Sequence, residues 1–471
     1  MKKLQRILSL VLACIMMLAL VGCAGGNTPD ESDAPTKQPI KAYCDFGGAT
    51  VTIVDQFDDM VHTVDENGEA VTGDDAWAER LAAVETAYNV NIEVLPAKGN
   101  YGATMIASII SGKPAGHVLT TRANSVVNWN AAGVFADLTA AMQKTGINFM
   151  DSEVYNTVVT KYANIDGKQL CFGKRYYHSL EGIWMFNKRI FAEMNLENPY
   201  ELYAKGEWTW DKVEEIATKA TIRQSDGTVT QWGMASYMAM PMIVDMVLQN
   251  GGKIVSFDEN GKPKVTLTDP KTVEAIERFS SWYTTKKILR TNYGDEVWDT
   301  VYKEFPNGNI AMFVGCPISY AVEGNMKDEY GIVGAPKASA DAEYVNPVAD
   351  YRCFFIPKTY EAEADKYIAL MDALWQPYDD VSMEDLVTEA FAENLHDKES
   401  LNTLINLNKN PLAKPFDAWQ MVNLEWVSPG MMDLVTEIKN GKSVGSVTDA
   451  YQTMFQEIVD EEWGEGVLTG K

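Results

Sequence analysis

The stretch Asp74–Thr121, "DDAWAERLAAVETAYNVNIEVLPAKGNYGATMIASIISGKPAGHVLTT", decides the fold. Trp77, Leu81, Val84 and Tyr88 fall on one helical stripe, with Asp74 and Asp75 at the positive start of that helix. "VNIEVLP" then alternates like a strand, "YGATMIASIISG" reads as a helix closed by Gly112, and "HVLTT" is a further strand. Upstream, "ATVTIV" (Ala49–Val54) is a β-branched strand. Strand, helix, strand, helix, strand predicts an α/β protein with a parallel sheet. Ligands of such folds sit outside the carboxyl ends of the strands.

The middle of the chain repeats this grammar. "GIWMFN" is a strand and "KRIFAEMNL" a short helix. "GEWTWDKVEEIATKAT" starts a helix that Thr209 can cap, with Asp211 and Glu214 near its N-terminal end. "VTQWGM" is a strand, and "MPMIVDMVLQNGG" a mostly apolar helix stopped by Gly251. Two Asp-Glu-Asn-Gly turns, in "VHTVDENGEAVT" and "KIVSFDENGKPKVTL", predict hairpins. "GNIAMFVG", "YGIVGAP" and "DYRCFFIP" read as strands, and the tail is largely helical. The body therefore has two sheet-forming halves.

The N-terminus has a different character. Lys2, Lys3 and Arg6 precede an uncharged run from Ile7 to Val21, the length of a secretory signal core. Leu20-Val21-Gly22-Cys23 resembles the lipobox of bacterial lipoproteins, so residues 1–22 are expected to be a cleaved signal peptide and Cys23 the lipid-attachment site. Residues 23–45, rich in Gly, Pro, Ser, Thr and acids, read as a disordered tether. The expected location is the extracellular face of the bacterial cytoplasmic membrane, with membrane contact through the anchor only.

Against 66 acids the chain has 40 Lys and Arg, a net charge of −26, which repels phosphate backbones and argues against nucleic-acid binding. Cys44, Cys171, Cys316 and Cys353 form no CxxC pair, and there are only four histidines, so no zinc cluster and no cofactor are expected. Buried free thiols are the expectation for these cysteines, with a Cys171–Cys353 bridge as the alternative.

Several motifs have plain structural readings. "GKSVG" (Gly441–Gly445) fits the G-x-S-x-G of serine hydrolases, which needs a strand before the serine. Here "MMDLVTEIKN" precedes it and reads as helix, so Gly441 is a helix stop. Met238, Met242 and Met246 form a packing stripe with Met240 pointing elsewhere, in place of a copper(I) site. The Asp-Glu-Asn-Gly turns lack the ligand pattern of a calcium loop. Asp58-Asp59 and Glu461-Glu462 are adjacent acids whose side chains diverge, unlike the carboxylate pair of a glycosidase.

In order along the chain, these segments resemble the extracellular solute-binding proteins of carbohydrate ABC transporters, the maltose-binding type. "GKQLCFGKRYYHSLEGIWMFNKRIF" is similar to that family's crossing strand and aromatic-Asn-Lys strand, and "NPYELYAKGEWTWDKVEEIA" to its Pro-x-Thr-Trp helix start. "GTVTQWGM" is similar to its Gly-x-x-aromatic-Gly strand, "FPNGNIAMFVG" to its Phe-x-x-Gly-x-Ala-Met strand, and "EIKNGKSVGSVTDAYQTM" to its closing helix pair. One departure is Gly116-His117, where many members carry Ala-Pro-Asp before the third strand. The resemblance implies a periplasmic-binding-protein-like fold, two α/β lobes joined by crossing strands with a ligand cleft between them. Lobe 1 would comprise 46–173 and 350–412, and lobe 2 would comprise 174–349 and 413–471.

It also implies a non-catalytic monomer that delivers a carbohydrate, an oligosaccharide by expectation, to an ABC transporter permease. Sugars stack their C–H faces on flat rings and need amide, carboxylate or guanidinium partners for their hydroxyls. Chemistry and family position together select Asp55, Gln56, Arg122, Trp129, Tyr176, Tyr177, Glu181, Tyr237, Tyr320, Arg352 and Trp426 as ligand-binding candidates. The rival readings are a secreted glycan-degrading enzyme and a surface sensor or adhesion lipoprotein.

Overall fold

The computed structural model describes residues 40–56, 75–97, 101–175, 183–292, 300–315, 326–345, 352–377, 382–391, 395–409, 417–425, 427–464 and 466–469. In chain order, β1 (Ala49–Asp55), α1 (Asp75–Tyr88), β2 (Val90–Pro96), α2 (Tyr101–Ile110) and β3 (Val118–Arg122) come first. Next come β4 (Trp184–Asn187), α3 (Trp210–Ala220), β5 (Val229–Ser236), α4 (Ala239–Gln249), β6 (Val255–Phe257), β7 (Pro263–Val265) and α5 (Pro270–Ser280). They are followed by β8 (Leu289–Arg290), β9 (Ile310–Val314) and β10 (Tyr330–Val333). The chain returns through β11 (Arg352–Phe355), and α6 (Ala364–Trp375), α7 (Lys398–Lys409), α8 (Met431–Lys439) and α9 (Val444–Trp463) follow.

The two larger sheets among the described residues are those that the periodicity predicts. The first has the order β11-β3-β1-β2, with β1 parallel to β2 and β3, and β11 antiparallel to β3. The second has the order β8-β5-β9-β4-β10; β5 is parallel to β8 and β9, and β4 runs against β9 and β10.

Local chemistry explains where elements start and stop. Thr209 Oγ1 accepts the Lys212 N–H at 3.3 Å and opens α3. The second Asp-Glu-Asn-Gly turn is the β6–β7 hairpin, where Asp258 Oδ1 accepts the amides of Asn260 at 2.8 Å and Lys262 at 2.9 Å. The first such turn lies outside the described residues. Gly441, at φ +84°, ends α8 in the left-handed region that a side chain resists.

Two features of the packing depend on contacts distant in sequence. Met240 is buried with Met242 and Met246, because α4 is enclosed by α5 and α8 and is covered nearly all round. The stretch after α6 also finds its partners on the second sheet. Val387, Phe391, Leu404 and Leu407 are buried with Ile183, Met185 and Ile332 of the second sheet, and Ser400 Oγ accepts the Ile332 amide at 2.9 Å. The stretch after α6 therefore packs on lobe 2, where its apolar faces find their partners.

Candidate ligand cleft

Both crossings between the sheets meet equivalent edges. The outgoing segment enters the second sheet at Trp184, the start of antiparallel β4, beside the carboxyl ends of β9 and β10. The return follows the end of β10 and enters the first sheet at Arg352, opposite the carboxyl end of β3. The residues just past these strand ends are thus the ones that the topology offers to a ligand.

On the first edge, Asp55 ends β1 wholly buried, 3.4 Å from the Thr120 hydroxyl. The Gln56 amide donates to Thr120 Oγ1 at 2.7 Å, leaving its exposed side chain above the sheet. Tyr101 Oη donates to the Thr120 carbonyl at 2.8 Å, and burial pushes that phenol well above its ordinary range. Arg122, exposed, and Arg352, half-buried, are direct partners across β3 and β11. Trp129 turns inward: its ring stacks on Phe135 at 6.4 Å, meets Phe355 edge-on at 5.9 Å and closes on Gly102. At 7 % exposure it supports the wall from beneath.

On the second edge, Ser236 Oγ donates to the Met238 carbonyl at 2.8 Å, shaping the turn out of β5 that carries Tyr237. Tyr237 is half-buried and stacks on Tyr302 with ring centroids 5.1 Å apart. Gly315 (φ +84°) makes room for it, since a Cβ there would stand 3.2 Å from the Tyr237 ring. Tyr302 and Gly315 therefore fix the tilt of the Tyr237 ring at this edge. Tyr176, Tyr177, Glu181, Tyr320, Trp426, Cys23 and Cys316 lie outside the described residues.

Sequence reasoning passed over Lys174, whose ammonium lies 5.5 Å from the Trp77 ring centre. Its only signal was its place on the crossing segment. Gly116-His117, by contrast, stand at the opposite end of β3, where His117 Nδ1 accepts the Thr52 amide at 3.0 Å. That departure from the family pattern is remote from the cleft.

Two of the catalytic motifs fall among the described residues, whereas Asp58-Asp59 lies outside them. Ser443 is the exposed N-cap of α9 and follows α8 directly, with no strand before it. We expect Ser443→Ala to leave ligand affinity and ester turnover at their wild-type levels, checked by calorimetry and a chromogenic ester assay. Glu461 is exposed whereas Glu462 turns inward to accept the Asn423 amide at 2.8 Å, so the two carboxyls diverge. Cys44, Cys171 and Cys353 are free thiols, and burial, reinforced by the neighbouring Cys353 thiol, pushes Cys171 well up. Among the described residues no helix is long and apolar enough to cross a membrane.

Two α/β lobes, between which the chain passes and returns, have the periplasmic-binding-protein-like architecture. The model of the bacterial extracellular solute-binding protein family matches residues 79–377, and the chain belongs to that family. No sequence among the curated proteins matches it.

Solved structures share the fold. A cyclic α-maltosyl-1,6-maltose-binding protein from Arthrobacter globiformis is 16 % identical, with a TM-score of 0.60 over 88 % of this chain and 99 % of that one. The ABC substrate-binding protein Lmo0181 from Listeria monocytogenes, in complex with cycloalternan, is 18 % identical, with a TM-score of 0.54 over 88 % and 99 %. UgpB from Mycobacterium tuberculosis, in complex with glycerophosphocholine, is 15 % identical, with a TM-score of 0.57 over 83 % and 96 %.

Proposed function

We propose that this solute-binding protein captures a carbohydrate, an oligosaccharide in particular, between its lobes and delivers it unchanged to an ABC transporter permease. The observation that carries the reading is the pairing of edges. Tyr237 stands half-buried past a strand end of the second sheet, and Gln56, Arg122 and Arg352 stand at strand ends of the first, where they would serve as an aromatic contact and as hydroxyl partners for a sugar. The cycloalternan complex of the Listeria relative and the cyclic α-maltosyl-1,6-maltose-binding relative from Arthrobacter support it. Tyr176, Tyr177, Glu181, Tyr320 and Trp426 complete the proposed wall from the crossings and the second lobe, with Asp55 and Trp129 behind it. Lobe 1 would end near residue 377, and the segment beyond would belong to lobe 2. The protein acts as a monomer without a cofactor.

A thermal-shift screen against a glycan panel, followed by calorimetry, tests this. A saturable stabilisation by one saccharide class, with the sugar recovered intact, is expected; stabilisation by none would overturn it, and cleavage would favour the enzyme reading.

The extracellular placement of the family fits a lipid anchor at Cys23, held by acyl chains at about 0.8 kcal/mol per buried methylene. Cys23→Ser should abolish labelling by a fatty-acid analogue and release the protein from membranes; undiminished labelling would refute the anchor.

A further inference from the structure

We infer that the sugar taken by the cleft carries an anionic group, a carboxylate or a sulfate, held by Arg122, Arg352 and Lys174. This rests on the carbohydrate reading above and specifies its substrate class.

The three cations come from three neighbouring segments at one end of one sheet. Arg122 ends β3, and Arg352, which begins antiparallel β11, is its direct partner. Direct partners stand about 5 Å apart at Cα and project to the same face. On the other side of β11, Phe172 and Phe354 exchange both backbone hydrogen bonds, at 3.0 and 2.7 Å. Two residues further toward the same end are Lys174 on one segment and Arg352 on the other. By strand alternation these share a face with Phe172 and Phe354, which pack in the same buried cluster as Trp77. The ammonium of Lys174 over the Trp77 ring agrees with that direction.

Like charges placed directly across a ladder repel each other. Each of these side chains keeps a partner within the chain, so the inference rests on their common position and not on unmet charge. Asp55, one strand over, is wholly buried, and the neighbouring Arg175 is paired with Glu153 at 3.0 Å. A chain of net charge −26 thus presents three cations together where its topology receives a ligand. A neutral hydroxyl takes a single bond from an amide, carboxylate or guanidinium, whereas the guanidinium fork matches the paired oxygens of a carboxylate or sulfate, and three cations together exceed what hydroxyls alone require.

The test is calorimetry on the full chain at low and moderate ionic strength. The probes are an oligogalacturonide, a sulfated disaccharide, maltotetraose and laminaribiose. At least one acidic saccharide should bind about tenfold or more tightly than a neutral one of similar length, and weaken with salt. Which acidic probe binds separates carboxylate from sulfate. Arg352→Gln and Lys174→Gln should each cost that acidic ligand about tenfold, and cost it several-fold more than they cost a neutral sugar, while Arg352→Lys should recover part of the loss and reports on folding. Equal or tighter binding of a neutral saccharide would overturn this inference and leave the carbohydrate receptor standing. So would an acidic saccharide whose affinity ignores both glutamine variants. Binding of no saccharide at all would overturn both.

Discussion

Gly233→Ala should be the most damaging small substitution in the second lobe. Gly233 lies in β5, and a Cβ there would stand 1.9 Å from the Ala217 carbonyl oxygen and 2.5 Å from its carbonyl carbon and Cα. Those are backbone atoms of α3, which cannot rotate aside as a flexible side chain would. Ala217 and Met234 are wholly buried, so helix and strand must separate across a packed core. The expected cost is about 3 kcal/mol or more, lowering the melting temperature by roughly 5–10 °C in scanning calorimetry. An unchanged melting temperature would mean that α3 does not lie against β5 as described.

The second large effect concerns Asp417, a wholly buried carboxylate at the entry to the turn Ala418–Met421. It accepts the amides of Ile254, Val255 at 2.8 Å and Trp419 at 3.0 Å. It thereby fixes β6 to a turn that packs against residues 123–125, just past the end of β3. Asp417→Ala strands three buried donors, each worth about 1–3 kcal/mol when unsatisfied, so a loss of about 3 kcal/mol or more is expected.

Burial pushes the Asp417 carboxyl up to about 6, against the opposing pull of its backbone donors. Its folded value then exceeds the unfolded one of about 3.9, so the folded state holds the extra proton between them. Stability from this group is present below about pH 4 and is lost as pH rises through about 6, a change on the order of 2–3 kcal/mol. Asp417→Asn should flatten that slope in denaturant titrations run from pH 4 to 7. A slope that survives in the asparagine variant would assign it to another group.

Much of the architecture was legible because it follows from local rules. Alternation marked β1 and β3, the Asp-Glu-Asn-Gly turn marked the β6–β7 hairpin, and Thr209 and Gly441 marked helix ends. What remained hidden depends on contacts distant in sequence. The mostly apolar composition of α4 implies burial on all sides, whereas the identity of its neighbours, α5 and α8, is not encoded within it. The placement of α7 on lobe 2 rests on Leu404 and Leu407 meeting Ile332, a partner more than seventy positions away.

The candidate site divides in the same way. Arg122, Arg352, Gln56 and Tyr237 were accessible because they stand next to recognisable strand ends. That Arg122 and Arg352 are direct partners became visible only with the β3–β11 register, and Lys174 only with the Phe172–Phe354 bridge beside it. Trp129 carried the composition of a sugar-stacking ring, yet Phe135, Phe355 and Gly102 occupy its surfaces. Large aromatics are buried as often as they are displayed, and sequence alone does not separate the two.

The central claim is that two lobes hold one ligand between them, so that binding should draw them together. Small-angle scattering of the purified protein, alone and saturated with the tightest saccharide from the panel, tests this most directly. The account predicts a smaller radius of gyration in the saturated sample, with the unliganded value restored after dialysis. An unchanged radius at full saturation would contradict it.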